Sequence, residues 1–261
     1  MPVDPAPPHT VMVRLLGPIE VVVDGQPLQL GHARQRSVLA VLAIEANRVV
    51  SRAQLAERVW GDDAPASVTN LLYGYIGRLR TLLTPTCGAV RLERRTGGYR
   101  LAVDENAVDL LRFRRLVAQA RAAGTGADAT GSWEQALAVW SGEPFSGTGD
   151  GWLAALRRRL DDERRTAILD ANEHQLRAGG HDALLGSLRE LAAEHPDDER
   201  VAAQLATALH HGGRSAEALA VLARIRRRLS REFGLGTGPG LYELERRILH
   251  ERSPAQPAYS A

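Results

Sequence analysis

Apolar residues run together in two short stretches near the start of this chain and fall into helical periods almost everywhere else. Val11–Leu16 and Ile19–Val23 are β-branched runs, and Asp24-Gly25 follows the second. An Asp-Gly pair beside such a run signals a tight hairpin, because a type I′ turn needs positive φ at both central residues. Residues 11–30 are therefore expected to form a small antiparallel sheet. From Arg34 to Ala46 the apolar positions Val38, Leu39, Leu42 and Ala46 repeat with a helical period, and Asn47 stands where a C-terminal cap belongs. Ser51 opens the next helix with Gln54 three residues on, a capping box in which each side chain satisfies the other residue's free backbone N–H. Leu55, Val59 and Trp60 mark its buried side, and Gly61 ends it.

A third helix is expected from Pro65 to Leu83. At 100° per residue, Val68, Leu72, Tyr75, Ile76, Leu79, Leu82 and Leu83 fall on one arc. Ser67, Asn70, Tyr73, Gly74, Gly77, Arg78 and Thr81 occupy the opposite arc, with Arg80 at its border. Its length would be about 28 Å, enough for one major-groove contact. Two glycines on an exposed helical face cost about 1 kcal/mol each relative to alanine, which suits a helix whose backbone something approaches closely. The segment VRLERRTGGYRL then reads as a hairpin turning at Thr96-Gly97-Gly98, with Arg91, Arg94, Arg95 and Arg100 around the turn. Tyr99, Leu101 and Val103 alternate with Arg100 and Ala102 as a half-buried strand should.

Beyond Val108 only helical periods occur, at 108–122, 132–141, 150–178, 182–195, 198–211, 215–232 and 239–250. Ser132 with Gln135 resembles a second capping box, and Asp197 after Pro196 another helix start. Gly180-His181-Asp182-Ala183-Leu184 is echoed 33 residues later at Gly213, close to the spacing of tetratricopeptide helix pairs. Ala202, Ala206, Ala216, Ala218 and Ala220 supply the small residues that close helix packing uses. The expected fold is mainly α with a small antiparallel β component: a winged helix-turn-helix domain at 11–104, then an all-α tetratricopeptide-like domain at 105–252. Residues 1–10, with four prolines, read as a disordered tip, and 253–261 as a flexible tail.

Charge sharpens this picture locally. All 33 basic residues are arginine and the formal net charge is only +2. Within residues 64–100, however, six arginines face the single acid Glu93. So concentrated a basic footprint fits a nucleic-acid site better than a uniformly charged surface. The lack of lysine removes Walker-type phosphate loops and Schiff-base chemistry from consideration. One cysteine, Cys87, leaves no intrachain disulfide framework or thiolate cluster. His210 and His211 adjoin on a helix and diverge, so no metal site is expected, and no cofactor. With no nucleophile–base set and no glycine-rich cradle, the chain reads as a non-enzyme. No membrane span or leader is evident, and a cytoplasmic location is expected.

The candidate contacts divide by chemistry. Ser67, Thr69, Asn70 and Tyr73 face away from the expected core. Asn70 can pair bidentately with adenine, and Tyr73 can reach a phosphate or a thymine methyl. Arg94, Arg95 and Arg100, flanking Gly97, Gly98 and Tyr99, suit phosphate or the minor groove. Of Arg78 and Arg80, one could instead pair internally with Glu57 or Asp62. Arg34, Arg36 and Arg52 lie near helix starts, where free N–H groups favour anions. The runs Arg157-Arg158-Arg159 with Asp161-Asp162-Glu163, and Arg226-Arg227-Arg228, read as charged helix faces with i,i+4 pairs. Trp133, Trp140 and Trp152 read as helical core. Two other classes compete with DNA recognition. One is a tetratricopeptide-like scaffold whose N-terminal domain is an interaction module; the other is a nucleotide-dependent enzyme, which lacks its phosphate loop.

Taken in order, ARQRSVLAVLA, ANRVVSRAQLAERVWGDDAPASVTNLLYGYIGRLR, RTGGYRL and GRSAEALAVLARIRRRLSREFGLGTGPGLYELERRIL resemble the Streptomyces antibiotic regulatory protein family of transcriptional activators, over about Val13 to His250. The resemblance implies an OmpR-type winged helix followed by a bacterial transcriptional activation domain. It implies binding to double-stranded DNA at direct repeats in promoters of secondary-metabolite clusters, self-association on DNA as side-by-side subunits, and recruitment of RNA polymerase holoenzyme. Asn70 and Tyr73 then fall on the groove-facing side of the recognition helix, Arg78 and Arg80 in the RLR motif, and Arg95, Gly97, Gly98 and Tyr99 in the wing turn. Asp62 and Asp63, between the second and third helices, become the candidate polymerase contact. Gly77 departs from the family's polar residue before RLR, Gly74 is unusually small, and LGTGPG replaces the usual LDPGP type. The chain is expected to end soon after the activation domain, without the ATPase that larger relatives carry.

Overall fold

The computed structural model describes residues 10–124, 126–149 and 151–252. The expected tip, apart from Thr10, and the expected tail lie outside the described residues. Near the start of the chain, β1 (Val11–Arg14), β2 (Glu20–Val23) and β3 (Gln26–Pro27) form an antiparallel sheet in that order. Asp24 and Gly25 both take positive φ (48° and 82°) at the β2–β3 turn, as an Asp-Gly turn requires.

Three helices follow: α1 (Ala33–Ile44), α2 (Arg52–Trp60) and α3 (Val68–Leu82). Between the first two lies β4 (Val50–Ser51), and after the third come β5 (Val90–Arg95) and β6 (Gly98–Val103), in the sheet order β4-β6-β5. The capping box is present, with Ser51 Oγ accepting from Gln54 N and Gln54 Oε1 accepting from Ser51 N. Helix α1 ends with Glu45 as its C-cap, two residues ahead of the expected cap at Asn47, which takes a left-handed φ of 64° in the turn beyond. The Asn47 amide group exchanges two hydrogen bonds with the backbone of Val103 and so ties the helix to the hairpin. Leu39, Leu42, Leu55, Leu72, Ile76, Leu79 and Leu101 are buried where these elements meet. Each such side chain contributes about 1.5–3 kcal/mol of burial. The Trp60 and Tyr75 rings stack at 5.9 Å on the same core.

The change from mixed to purely helical chain comes after β6, but compactness divides the molecule elsewhere. One unit runs to Ala123 and takes in Gly131–Arg165; the other takes in Gly124–Thr130 and resumes at Thr166. The reason is visible in α4 (Asp109–Ala123). Asp109 accepts hydrogen bonds from the backbone N–H of Leu15, Leu16 and Leu110, which anchors α4 to the chain following β1. The hydrogen bonds Ser141 N to Leu16 O and Phe145 N to Leu15 O carry the same packing onward.

The remaining helices are α5 (Ala127–Ala138), α6 (Trp152–Arg177), α7 (His181–Glu194), α8 (Glu199–His211), α9 (Ser215–Phe233) and α10 (Pro239–Arg252). Several helix-level expectations need correction. Ser132 lies inside α5 and caps nothing. Asp198, not Asp197, caps α8 through the N–H groups of Arg200 and Val201. The charged face of α6 pairs both ways: Asp162 within the helix with Arg165, but Glu163 with Arg114 and Arg157 with Glu143 on other segments. Trp133 and Trp140 are buried, whereas Trp152 is half-exposed beneath the Arg58 guanidinium, 4.6 Å from its ring. Ala202, Ala206 and Ala218 sit in the core, but Ala216 and Ala220 are exposed. Residues two apart on a helix point about 200° apart, so all three of the α9 alanines could not share one face. In the second unit α7 and α8, then α9 and α10, close on a core that includes Leu188, Leu205, Leu222, Ile225 and Ile248. No helix among the described residues is long and apolar enough to cross a membrane.

Candidate nucleic-acid interface

The recognition-type helix is shorter than its hydrophobic pattern suggests. It spans the 15 residues of α3, because Pro65, Ala66 and Ser67 form a turn ahead of it. Its inward side is the expected one, with Leu72, Tyr75, Ile76 and Leu79 buried and Val68 and Leu82 intermediate. Ser67 stands at the N-cap, yet its hydroxyl accepts none of the first-turn N–H groups. Ser67, Thr69, Asn70, Tyr73, Gly74, Gly77 and Thr81 are all exposed. The Asn70 amide has no partner among the described residues, so its donor and acceptor are both open.

The two glycines are not demanded by the protein's own packing. A Cβ on Gly77 would meet nothing within 4 Å, and one on Gly74 would meet only Arg78 Nη2 at 3.7 Å. Neither position has a left-handed backbone. What they provide is a bare stretch of helical backbone between Tyr73 and Arg78.

Tyr73 and Arg52 are brought together. Arg52, the first residue of α2, donates from Nη1 to the Tyr73 hydroxyl at 2.5 Å, linking the two helices across the exposed face. The other arginines of the helical set are largely committed to the chain itself. Arg78 Nε donates to Gln35 Oε1 at 3.1 Å, and its guanidinium lies 5.1 Å from the Tyr75 ring centre. Arg80 Nε donates to Leu92 O at 2.9 Å, fastening α3 to the hairpin. Neither reaches Glu57 or Asp62, the two partners considered from sequence. Arg34 donates to Val59 O and lies over Trp60. Arg36 spans Gly31 O and Gly147 O at 3.0 and 3.1 Å. Arg36 and Arg80 are thus intramolecular clamps, because carbonyl oxygens from remote segments lie within reach of their donors.

The wing is a two-residue hairpin at Thr96-Gly97, with Arg95 opposite Gly98. Gly97 supplies the left-handed φ of 85°. Gly98 and Tyr99 must be removed from the contact set. Tyr99 is only 3% exposed, since it pairs with Val50 and faces the core. Gly98 is a packing residue: a Cβ there would collide with the Val50 carbonyl and fall 2.9 Å from Ser51 Cα.

Strand alternation then sorts the arginines onto two faces. Arg91, Glu93, Arg95 and Arg100 share the outer face, and Glu93 stands directly across from Arg100. Its carboxylate accepts from Arg95 at 2.6 Å and Arg100 at 2.7 Å, while Arg91 lies 3.7 Å away. Hydrogen bonds from Arg100 and then Arg95 hold the Glu93 carboxyl below its ordinary range. Arg94 shares the opposite face with Leu92, Tyr99 and Leu101, beyond the edge of the core. It is exposed and pairs with no described residue.

Three residues join the site only in the folded chain: Glu93 as an organiser, Gln35 as the support of Arg78, and Leu71, an exposed apolar side chain beside Asn70. Folding the sequence about Thr96-Gly97 would have set Glu93 opposite Arg100; no local signal marks Gln35. Asp62 and Asp63 lie exposed in a 3₁₀ turn between α2 and α3.

Comparison with known proteins bears on both halves of the chain. The family model described as bacterial transcriptional activator domain matches residues 108–249, and that of the C-terminal part of transcriptional regulatory proteins matches residues 25–110. The regulatory protein AfsR of Streptomyces coelicolor is 35% identical over 251 residues, covering 95% of this chain and 25% of that protein. The chain therefore spans about a quarter of AfsR. The regulatory protein DnrI of Streptomyces peucetius is 31% identical over 250 residues, 92% of each. Among solved structures, Mycobacterium tuberculosis EmbR in complex with a low affinity phosphopeptide matches with a TM-score of 0.87 at 29% identity, over 94% of this chain and 66% of that one.

Proposed function

The chain belongs to the Streptomyces antibiotic regulatory protein family of transcriptional activators, and from that premise we propose that it binds direct repeats in promoters of a secondary-metabolite cluster and recruits RNA polymerase holoenzyme there. The observation that carries the DNA reading is the pairing of one bare helical face with one unpaired arginine. Asn70 and Tyr73 border the backbone exposed at Gly74 and Gly77, and Arg94 on the neighbouring hairpin pairs with no described residue.

In this reading α3 lies in the major groove. Asn70 offers both hydrogen-bonding functions of its amide to a base edge, Ser67 and Thr69 lie at the start of the helix, and Leu71 meets a thymine methyl. Arg52 positions the Tyr73 ring by holding its hydroxyl. Arg94 enters the adjacent phosphates or minor groove, and Arg95 presents the donors that Glu93 leaves unused. Phosphate contacts set register, and the helix reads sequence. The helical domain supports side-by-side subunits on successive repeats, in the cytoplasm where DNA and polymerase meet. Asp62 and Asp63 offer exposed carboxylates to the polymerase. An Asp63→Ala chain is expected to keep DNA affinity and lose transcription; loss of both would remove that assignment.

Titration against a direct-repeat promoter fragment tests the main reading. Affinity should fall steeply with salt through counterion release, and a scrambled duplex should bind far more weakly. Equal affinity for any duplex would instead favour a scaffold whose N-terminal domain serves as an interaction module.

A further inference from the structure

Helix α9 carries arginines that the rest of the described chain leaves unmatched. Arg226 is paired with Glu245, and Arg228 with Asp197 and Glu232. Arg224, Arg227 and Arg231 are exposed and make no ion pair or hydrogen bond with any described residue. All three line a groove of about 310 Å³ bounded by the end of α7, the His195-Pro196 turn and the start of α8. Its floor is apolar. Ala202, Leu205 and Ile225 belong to the core of the helical unit, and Val221 is half-buried against it.

Two acids also line the groove, but both are occupied. Asp198 caps α8 through the N–H groups of Arg200 and Val201, and Glu232 pairs with Arg228. The groove therefore presents a narrow apolar strip, chiefly Val221 above the buried Ala202, Leu205 and Ile225, beside three arginines without an acidic partner among the described residues.

We propose that this groove docks an acidic segment of a partner protein, with apolar side chains on Leu205, Val221 and Ile225 and carboxylates on Arg224, Arg227 and Arg231. Arg224 and Arg231 are about 10 Å apart along the helix axis. Alternate residues of an extended peptide are about 7 Å apart on one face. Acidic residues at alternate positions can thus follow the arginine stripe while the intervening side chains turn to the floor. Guanidinium groups suit this role because they bind carboxylates bidentately in a fixed plane. No Phe, Tyr or Trp lines the groove to stack a base, so a peptide suits it better than a nucleic-acid strand. Neither residues 1–9, with the one acidic side chain Asp4, nor residues 253–261, with none, offer such an alternation. The inference does not depend on the α3 and wing reading.

Fluorescence anisotropy with the full chain and three labelled dodecapeptides tests it. One alternates glutamate with leucine, one glutamate with serine, and one lysine with leucine. The glutamate–leucine probe should saturate, the glutamate–serine probe should bind at least about tenfold more weakly, and the lysine–leucine probe should not saturate. Arg224→Ala, Arg227→Ala and Arg231→Ala combined should weaken the first probe by at least about tenfold and leave affinity for the promoter fragment unchanged. Should that variant misfold by circular dichroism, the wild-type chain still decides: rising salt must weaken the glutamate–leucine probe. Absence of saturable binding, binding insensitive to the variant or to salt, or loss of DNA affinity in place of peptide affinity would overturn the proposal.

Discussion

Gly98 and Gly97 are adjacent in the wing, but the structure gives them opposite jobs, and alanine at each should separate them. At position 98 the added Cβ lies 2.7 Å from the Val50 carbonyl carbon and 2.9 Å from Ser51 Cα, with the Val50 oxygen nearer still. All three atoms are backbone, so no side chain can swing away. The strand β4 must move, and it pairs with β6 only through Val50–Tyr99 and Ser51–Gly98. Losing one or two net hydrogen bonds costs about 0.5–1.5 kcal/mol each. Ser51 is also the N-cap of α2, and a disturbed cap adds about 1 kcal/mol. Gly98→Ala should therefore destabilise the folded chain by about 1.5–4 kcal/mol. At position 97 the Cβ meets nothing within 4 Å, and only the left-handed φ of 85° is strained. Gly97→Ala should cost about 1 kcal/mol. Urea denaturation followed by far-ultraviolet circular dichroism measures both. A Gly98→Ala chain as stable as wild type, or one less damaged than Gly97→Ala, would refute the assignment of Gly98 to strand packing.

Further outcomes follow from the same geometry. Arg94→Ala should weaken specific and nonspecific DNA alike and lower the slope of log affinity against log salt by about one, as expected for a lost phosphate contact; an unchanged slope would take Arg94 off the DNA. Arg95→Ala should have the smaller effect, because Arg95 is already held by Glu93. Gly77→Ala has room for its methyl and should raise stability by about 1 kcal/mol while lowering DNA affinity. Equal or better DNA binding by that variant would mean that nothing approaches the helix there. Burial pushes the Asp109 carboxyl up to about 6, against the opposing pull of hydrogen bonds from Leu16, Leu15 and Leu110. Since this folded value lies above the ordinary 3.8, protonation favours the folded state. The resulting stabilisation is full below pH 3.8 and is lost as pH rises through about 6. It amounts to about 3 kcal/mol. Carboxyl-carbon NMR should find Asp109 titrating near 6, and urea midpoints of Asp109→Asn should lose this part of the pH dependence.

Local chemistry alone determined much of this protein. The Asp24-Gly25 turn, the Ser51–Gln54 capping box, the buried stripe of α3 and the strand alternation after Gly98 each depend on residues a few positions apart. Those signals were enough to place a recognition-type helix beside a basic hairpin. They failed where a distant segment intervened. Tyr99 reads as a wing residue until β4 is laid against it, and Gly98 as a flexible turn until the Val50 carbonyl is seen to occupy the space of its missing side chain. Arginine is the extreme case, because its long side chain carries several donors to whatever acceptor the fold brings near. Gly147 O claims Arg36, Leu92 O claims Arg80 and Gln35 claims Arg78, while Arg94 alone of the wing arginines is left unmatched among the described residues. Basic charge gathers at 64–100 by composition, but which of those charges remain for a partner depends on the fold, since carbonyl and carboxylate acceptors are distributed by packing and not by spacing along the chain.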